Sequence, residues 1–241
     1  MSLAQRGKKV LLCDCDFDMR CLDLMLGVEN DIMYDLYDAA KSRTDIARVL
    51  IRDDRSENLW FAAAPFKGGR DITAEEFSSV IADALDYEEF DHVILDTPGS
   101  LAVPAVIDSG IVENAIIVAS HQPSSIRAAG QTGEFLARSH IMNQRLLINS
   151  FDLEAALTGK RPGINEIIDR SFIQLCGIVP YERALMLGAE TGKLACQLKN
   201  SNANAAFANI ASRLEGMYVP LFHGFYGIKT KSRIKRLLAM I

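Results

Sequence analysis

Along the chain, short apolar runs alternate with longer stretches in which apolar residues recur every three or four positions. Val10-Leu11-Leu12-Cys13 ends at Asp14, Val93-Ile94-Leu95 at Asp96, and Ile116-Ile117-Val118-Ala119 at Ser120. Leu146-Leu147-Ile148 ends at Asn149, Cys176-Gly177-Ile178-Val179 at Pro180, and a weaker run from Leu59 to Ala64 at Pro65. Such runs are too short for buried helices and too uniformly apolar for half-exposed strands. They predict interior strands of a parallel sheet covered on both faces. Between them, Thr73 precedes a helical pattern over 74–87, with Phe77, Val80, Ile81 and Leu85 at helical spacing, and 125–138 and 202–214 read alike. Strands alternating with helices predict an α/β fold, doubly wound, with a mostly parallel sheet flanked by helices. Residues 151–165, where Gly159, Lys160, Arg161, Pro162 and Gly163 crowd together, read as a long surface loop.

In open parallel sheets, ligands bind outside the carboxyl ends of the strands. The residues placed there are Asp14, Asp16, Asp96, Thr97, Pro98, Gly99, Asn149 and Pro180. Two acidic strand ends suit Mg²⁺ and a nucleotide, because Mg²⁺ keeps several waters and takes one or two carboxylates. Asp14-Cys15-Asp16-Phe17-Asp18 reads either as acids that organise Mg²⁺ and the attacking water or as solvated turn residues and caps. Asp96-Thr97-Pro98-Gly99 has the form of a Walker B strand end followed by a switch, and equally of a plain turn. Lys67-Gly68-Gly69, Thr158-Gly159-Lys160 and Thr191-Gly192-Lys193 are ordinary loops, for none gives Gly-x-x-x-x-Gly-Lys-Ser/Thr. Cys13, Cys15 and Cys21 have no histidine nearby and no Cys-x-x-Cys, so they read as small apolar residues.

Charge divides the chain unevenly. The net charge is -5, yet no acid follows Glu215. Residues 1–224 hold 31 acids against 21 bases, and the remaining five bases lie in the tail. A body of that sign does not wrap a polyanion, so no specific nucleic acid is expected. The chain divides into a body, 1–222, and a basic tail, 223–241. In the tail Ile234, Leu237, Leu238 and Ile241 form one helical stripe, with Lys231, Arg233, Lys235 and Arg236 off it and Phe225 ahead of it. This pattern suits a helix lying on an anionic membrane surface, or a terminal helix docked on the body or a partner. Five cysteines without a disulfide pattern suggest a reducing compartment.

The stretch from Gly7 to Asp16, followed by Arg20-Cys21-Leu22-Asp23-Leu24-Met25-Leu26-Gly27-Val28-Glu29-Asn30, resembles the first switch region of MinD, the septum-site ATPases of the ParA/MinD group. The resemblance continues at Tyr34-Asp35-Leu36, Asp96-Thr97-Pro98-Gly99, Ser124-Ser125-Ile126-Arg127, Gly177-Ile178-Val179-Pro180 and the basic tail, so it covers nearly the whole chain. It implies a P-loop NTPase fold and a switch in division-site placement that hydrolyses ATP. Asp14 and Asp16 would be the acids near the γ-phosphate and attacking water. Asp96 would organise Mg²⁺, with Thr97, Pro98 and Gly99 beside the nucleotide. Asn149 and Pro180 would surround the adenine, and the tail would target the membrane. It also implies a homodimer formed on ATP binding, Min-system division partners, and a cytoplasmic protein peripheral at the inner face of the cell membrane.

The chain departs from that pattern. The family's Lys-Gly-Gly-Val-Gly-Lys-Thr loop is absent, and counting back from Val10 it would fall just upstream of Met1. Leu3 to Arg6 reads as the last turn of the helix after that loop, with Gly7 as its cap. The expectation is an N-terminally truncated or mis-started form of a longer protein, with little ATP binding of its own. Cys21, Gln122 and Ala128 replace the family's Asn, Glu and Asp. Two other readings follow: a non-catalytic membrane or division adaptor on the same fold, and a ParA-type partition or flagellar-number ATPase.

Overall fold

The structure, a computed structural model, describes residues 1–69, 71–99 and 103–223. The tail residues Phe225, Lys231, Arg233, Ile234, Lys235, Arg236, Leu237, Leu238 and Ile241 lie outside the described residues. The chain forms two compact units, one of 1–112 with 188–194, the other of 113–187 with the residues from 195 onward.

In the first unit β1 (Val10–Asp14) is flanked in parallel by β3 (Leu59–Ala62) and β4 (His92–Asp96), and β2 (Ile51–Arg52) pairs antiparallel with β3. Alternation sends successive side chains to opposite faces. Leu11 and Cys13 with Trp60 and Ala62 pack against Phe77, Val80, Ile81 and Ala84 of α3 (Ala74–Tyr87). On the other face Phe61 and Ala63 pack with Leu26, and with Leu12, Leu22 and Leu194. Burying side chains of that size contributes about 1.5–3 kcal/mol each. The start of α3 is a capping box: the Thr73 Oγ1 accepts from the Glu76 N–H at 3.2 Å, and Glu76 accepts from the Thr73 N–H at 2.9 Å. The shorter helices of this unit are α1 (Leu22–Leu26), α2 (Leu36–Ala40) and α4 (Pro104–Ile107). Ahead of β1, Ala4–Arg6 is one 3₁₀ turn closed by Gly7 at φ 82°.

The second unit holds β5 (Asn114–Ala119), β6 (Asn143–Phe151) and β7 (Leu175–Pro180), all parallel, in the order β5-β6-β7. Its helices are α5 (Pro123–Arg138), α6 (Leu153–Leu157), α7 (Ile164–Ser171) and α9 (Asn202–Leu214), and α8 (Arg183–Ala189) leads the chain out of the unit. Ala203, Ala206 and Ile210 of α9 pack on Leu147, Cys176 and Val179. The close approach rests on Gly177, where any Cβ would collide with the Ile210 side chain.

Two expectations are corrected. Among the described residues β4, β5 and β7 are not interior strands; each is an edge of its sheet, and Ile94, Ile116 and Val118 stay exposed at 40%, 43% and 58%. An apolar run reports what could cover a strand, not what does, so edge and interior read alike. Residues 151–165 are not one loop. Asp152 accepts from the Ala155 N–H at 3.0 Å and starts α6, a cap that lies ahead of the Gly- and Pro-bearing segment from Gly159 to Gly163. Among the described residues no helix is long and apolar enough to cross a membrane.

Candidate functional site

The first unit brings three of the predicted acids together. Asp14 ends β1 and Asp96 ends β4, and the two are register partners on adjacent parallel strands. The Cys15 N–H donates to the Asp96 carbonyl at 2.8 Å, so pairing runs to the residue after Asp14 and to Asp96 itself. Asp14 is 1% exposed. Its Oδ1 accepts from the Asp16 N–H at 3.0 Å and its Oδ2 from the Leu22 N–H at 3.1 Å, so one carboxylate ties the strand end to the first turn of α1. The Asp16 Oδ1 accepts from the Asp18 and Met19 N–H groups at 3.2 and 3.0 Å, which curls the chain back.

Burial is the main cause that pushes both carboxyls up from the ordinary value of 3.8. For Asp14 it outweighs the two N–H bonds, and nearby Asp16 and Asp23 push the same way. For Asp96, part of which reaches solvent, Asp14 and Asp16 add to the rise. Carboxyls raised by burial and by one another are the electrostatic condition a divalent cation relieves.

Other sequence candidates are placed less tightly. Thr97, Pro98 and Gly99 follow Asp96 and end the described stretch. A Cβ at Gly99 would meet nothing within 4 Å, so nothing in this conformation demands glycine there. Cys13 and Cys15 are fully buried, and burial pushes the Cys13 thiol up to about 12 and Cys15 well above its usual 9.0. Thiols held protonated are inert packing, as the spacing implied. No group of three or more His, Cys, Asp or Glu able by itself to hold a metal occurs among the described residues.

Asn149 and Pro180 belong to the second unit, on β6 and β7. Pro180 lines a cavity of about 300 Å³ with Phe151, Ile178, Tyr181, Asn202 and Phe222. Asn149 stands two residues before Phe151, its Oδ1 accepting from the Ser150 N–H. Beside it His121 is buried against the Phe151 ring, and its Nδ1 has no hydrogen-bond partner.

Sequence reasoning missed two ion pairs of the first unit. Arg20 at φ 40° pairs its Nε with buried Asp23 at 2.8 Å and lies over Phe66. Arg55 is held by buried Asp53 and donates to the Gly192 carbonyl at 3.0 Å. The second contact spans 137 positions, and no local pattern encodes it.

Parallel strands with acids at neighbouring carboxyl ends, flanked by helices, define an α/β protein of the doubly wound type. Comparison with known proteins places it more closely. A septum site-determining protein MinD from Synechocystis is 32% identical over 221 residues, covering 91% of this chain and 82% of the relative. The MinC:MinD cell division complex from Aquifex aeolicus contains a chain with a TM-score of 0.83 and 28% identity, covering 91% of this chain and 88% of that one. MinD from Pyrococcus horikoshii, solved with Mg-ADP, shares the fold at a TM-score of 0.76 and 20% identity, covering 89% and 86%. No protein-family profile matches the chain. The chain belongs to the MinD family of septum site-determining proteins.

Proposed function

We propose that this protein is a nucleotide-dependent switch for division-site placement, and that Asp14, Asp16 and Asp96 form its nucleotide-sensing acids. The observation that carries the reading is the register pairing of Asp14 and Asp96, both raised by burial. The donor set fits Mg²⁺ through one carboxylate: Asp96 ends its strand facing solvent, with room for waters, beside buried Asp14, whose oxygens are taken by N–H groups. Mg²⁺ when bound supplies the positive charge that offsets a triphosphate. Asp96 would hold it, Asp14 would fix the turn through Leu22 and Asp16, and Asp16 would face the attacking water. Thr97, Pro98 and Gly99 would lie beside the nucleotide. In the second unit Asn149 and Pro180 would be the adenine's neighbours on the family resemblance; the cavity that Pro180 lines carries Asp152 and Glu154 as well as Phe151, Ile178 and Phe222. MinD from P. horikoshii was solved with Mg-ADP, and the Aquifex chain with MinC, which supports the same ligand and a Min-system partner here. ATP-driven homodimers and attachment of the tail to the inner face of the cell membrane complete the reading.

The 241 residues contain no Gly-x-x-x-x-Gly-Lys-Ser/Thr, and successive amides of such a loop are what wrap phosphates. Gln122 and Ala128, standing where the family carries Glu and Asp, favour a second reading, a division adaptor that keeps the fold without turnover. Calorimetric titration of Mg-ATP, with the family's phosphate loop supplied ahead of Met1, separates the two. Mg²⁺-dependent binding that Asp96→Asn weakens about tenfold or more supports the switch. Binding unaffected by Mg²⁺ and Asp96, or none, leaves the adaptor.

A further inference from the structure

We propose that residues 188–194 are a positioning element for Asp14, and that Arg55 is the residue that holds them in place. The inference rests on the role of Asp14 proposed above. The first unit is built from residues 1–112 with one later segment, Gly188–Leu194. That segment does not fold onto the sheet at random. It meets α1, the helix whose first N–H, from Leu22, donates to the Asp14 Oδ2.

Three contacts fix it. Leu194 packs into the cluster of Leu26, Phe61 and Ala63 that also takes in Leu22, so it belongs to the apolar cluster on which α1 is seated. Gly192 lies against Gly27, the left-handed cap of α1; a Cβ on Gly192 would come 3.5 Å from the Gly27 Cα. Both glycines have positive φ, 67° and 71°, a conformation side chains rarely adopt, so two left-handed turns meet backbone to backbone. The Gly192 carbonyl accepts from Arg55 at 3.0 Å, and Arg55 is itself fixed by Asp53, a buried carboxylate that its guanidinium holds below the ordinary range despite burial. The segment closes on itself through the Lys193 and Thr191 N–H groups, which donate to the Gly188 carbonyl at 2.8 and 2.9 Å.

The helix so clamped is only five residues long. A helix of that length has little stability of its own, so its position is set by what packs on it. With its carboxyl end pinned by Gly192 and its side pinned by Leu194, its amino end is presented to Asp14 at hydrogen-bonding distance. The clamp therefore sets how Asp14 is oriented, without touching it.

The test is backbone amide exchange by NMR on the full 241-residue chain. Arg55→Ala and Leu194→Ala should each speed exchange of the Leu22 and Gly27 amides by about tenfold or more, while amides of α3 and β1 keep their rates. The Leu22 amide proton should move upfield as its bond to the carboxylate weakens. Arg55→Lys, which keeps the charge beside Asp53, should restore part of the protection. Arg55→Ala leaves Asp53 buried without its partner, so loss of folding there shifts the decision to Leu194→Ala alone. Unchanged Leu22 exchange and shift in a folded variant would overturn the proposal. This readout needs no nucleotide, so absent Mg-ATP binding would sink the proposed function while leaving the clamp standing.

Discussion

Asp14 and Asp96 carry a cost that their positions impose. Both bind a proton more readily in the folded chain than in the unfolded one, because burial and their neighbours disfavour the charge. Stability should therefore fall as pH rises from the ordinary carboxylate value of 3.8 through the raised values, and stay at the lower level at neutral pH. Asp96→Asn removes one charge of the pair. Since Asp96 is partly in solvent, the relief at neutral pH is about 1 kcal/mol or less, a rise in Tm of about 2–4 °C at most. Thermal scans of wild type and Asp96→Asn at acid and neutral pH check this; the gap should close in acid. An Asn variant less stable at neutral pH would show that the carboxylate is held by favourable contacts instead. The acids themselves were legible, since each ends an apolar run, and strand ends are where such sheets bind ligands. What supports Asp14 was not. Leu22 is read as one more apolar residue, because a backbone N–H leaves no trace in sequence, and Arg55 meets Gly192 across 137 positions.

At the scale of elements, the long helices were legible because their caps and periodicity lie within one stretch. α3 matches the pattern predicted for 74–87, and α9 that for 202–214. The rest depended on contacts from elsewhere. The amino end of α9 is capped by its own Ser201, but also by Glu182, whose carboxylate accepts from the Asn202 and Ala203 N–H groups at 2.5 and 3.1 Å and from the Ser201 hydroxyl at 2.7 Å. A carboxylate there complements the helix dipole and fixes the turn after Pro180 to α9. The seat of α9 on β7 depends on Gly177, which sequence reading took as one more member of an apolar run. Gly177→Ala should place a methyl against Ile210 and destabilise the second unit by about 1–3 kcal/mol, seen as a lower denaturant midpoint. Pairing it with Ile210→Ala, which removes both the Cγ1 and the Cδ1 that the new methyl would meet, should give a double variant less destabilised than the sum of the two single losses. If the two losses simply add, steric crowding at Ile210 is not the reason for glycine.

For the whole molecule, the fold class was legible and the arrangement of strands into sheets was not. Each run carries the same apolar signature whether it pairs on one side, as β4 and β5 do, or on both, as β1 does. Charge is the property that sequence reads best at this scale, because it needs only counting. A body with 31 acids and 21 bases precedes a tail whose five charged residues are all basic. Attraction of such a tail to anionic lipid is worth about 1 kcal/mol per base near the surface and is screened within a Debye length. The chain should therefore sediment with vesicles of phosphatidylglycerol and phosphatidylcholine, less so as salt rises, and hardly at all with phosphatidylcholine alone. Removing residues 224–241 should abolish sedimentation while leaving the far-ultraviolet circular dichroism of the body in place. A docked terminal helix makes the opposite demand: its removal would strip a packed face, lower stability and leave lipid binding where it was. Duplex DNA supplies the control for charge alone. The acidic body should keep the chain from binding it at physiological salt, whereas a partition-type protein would bind DNA in a salt-sensitive way through its body, with or without the tail.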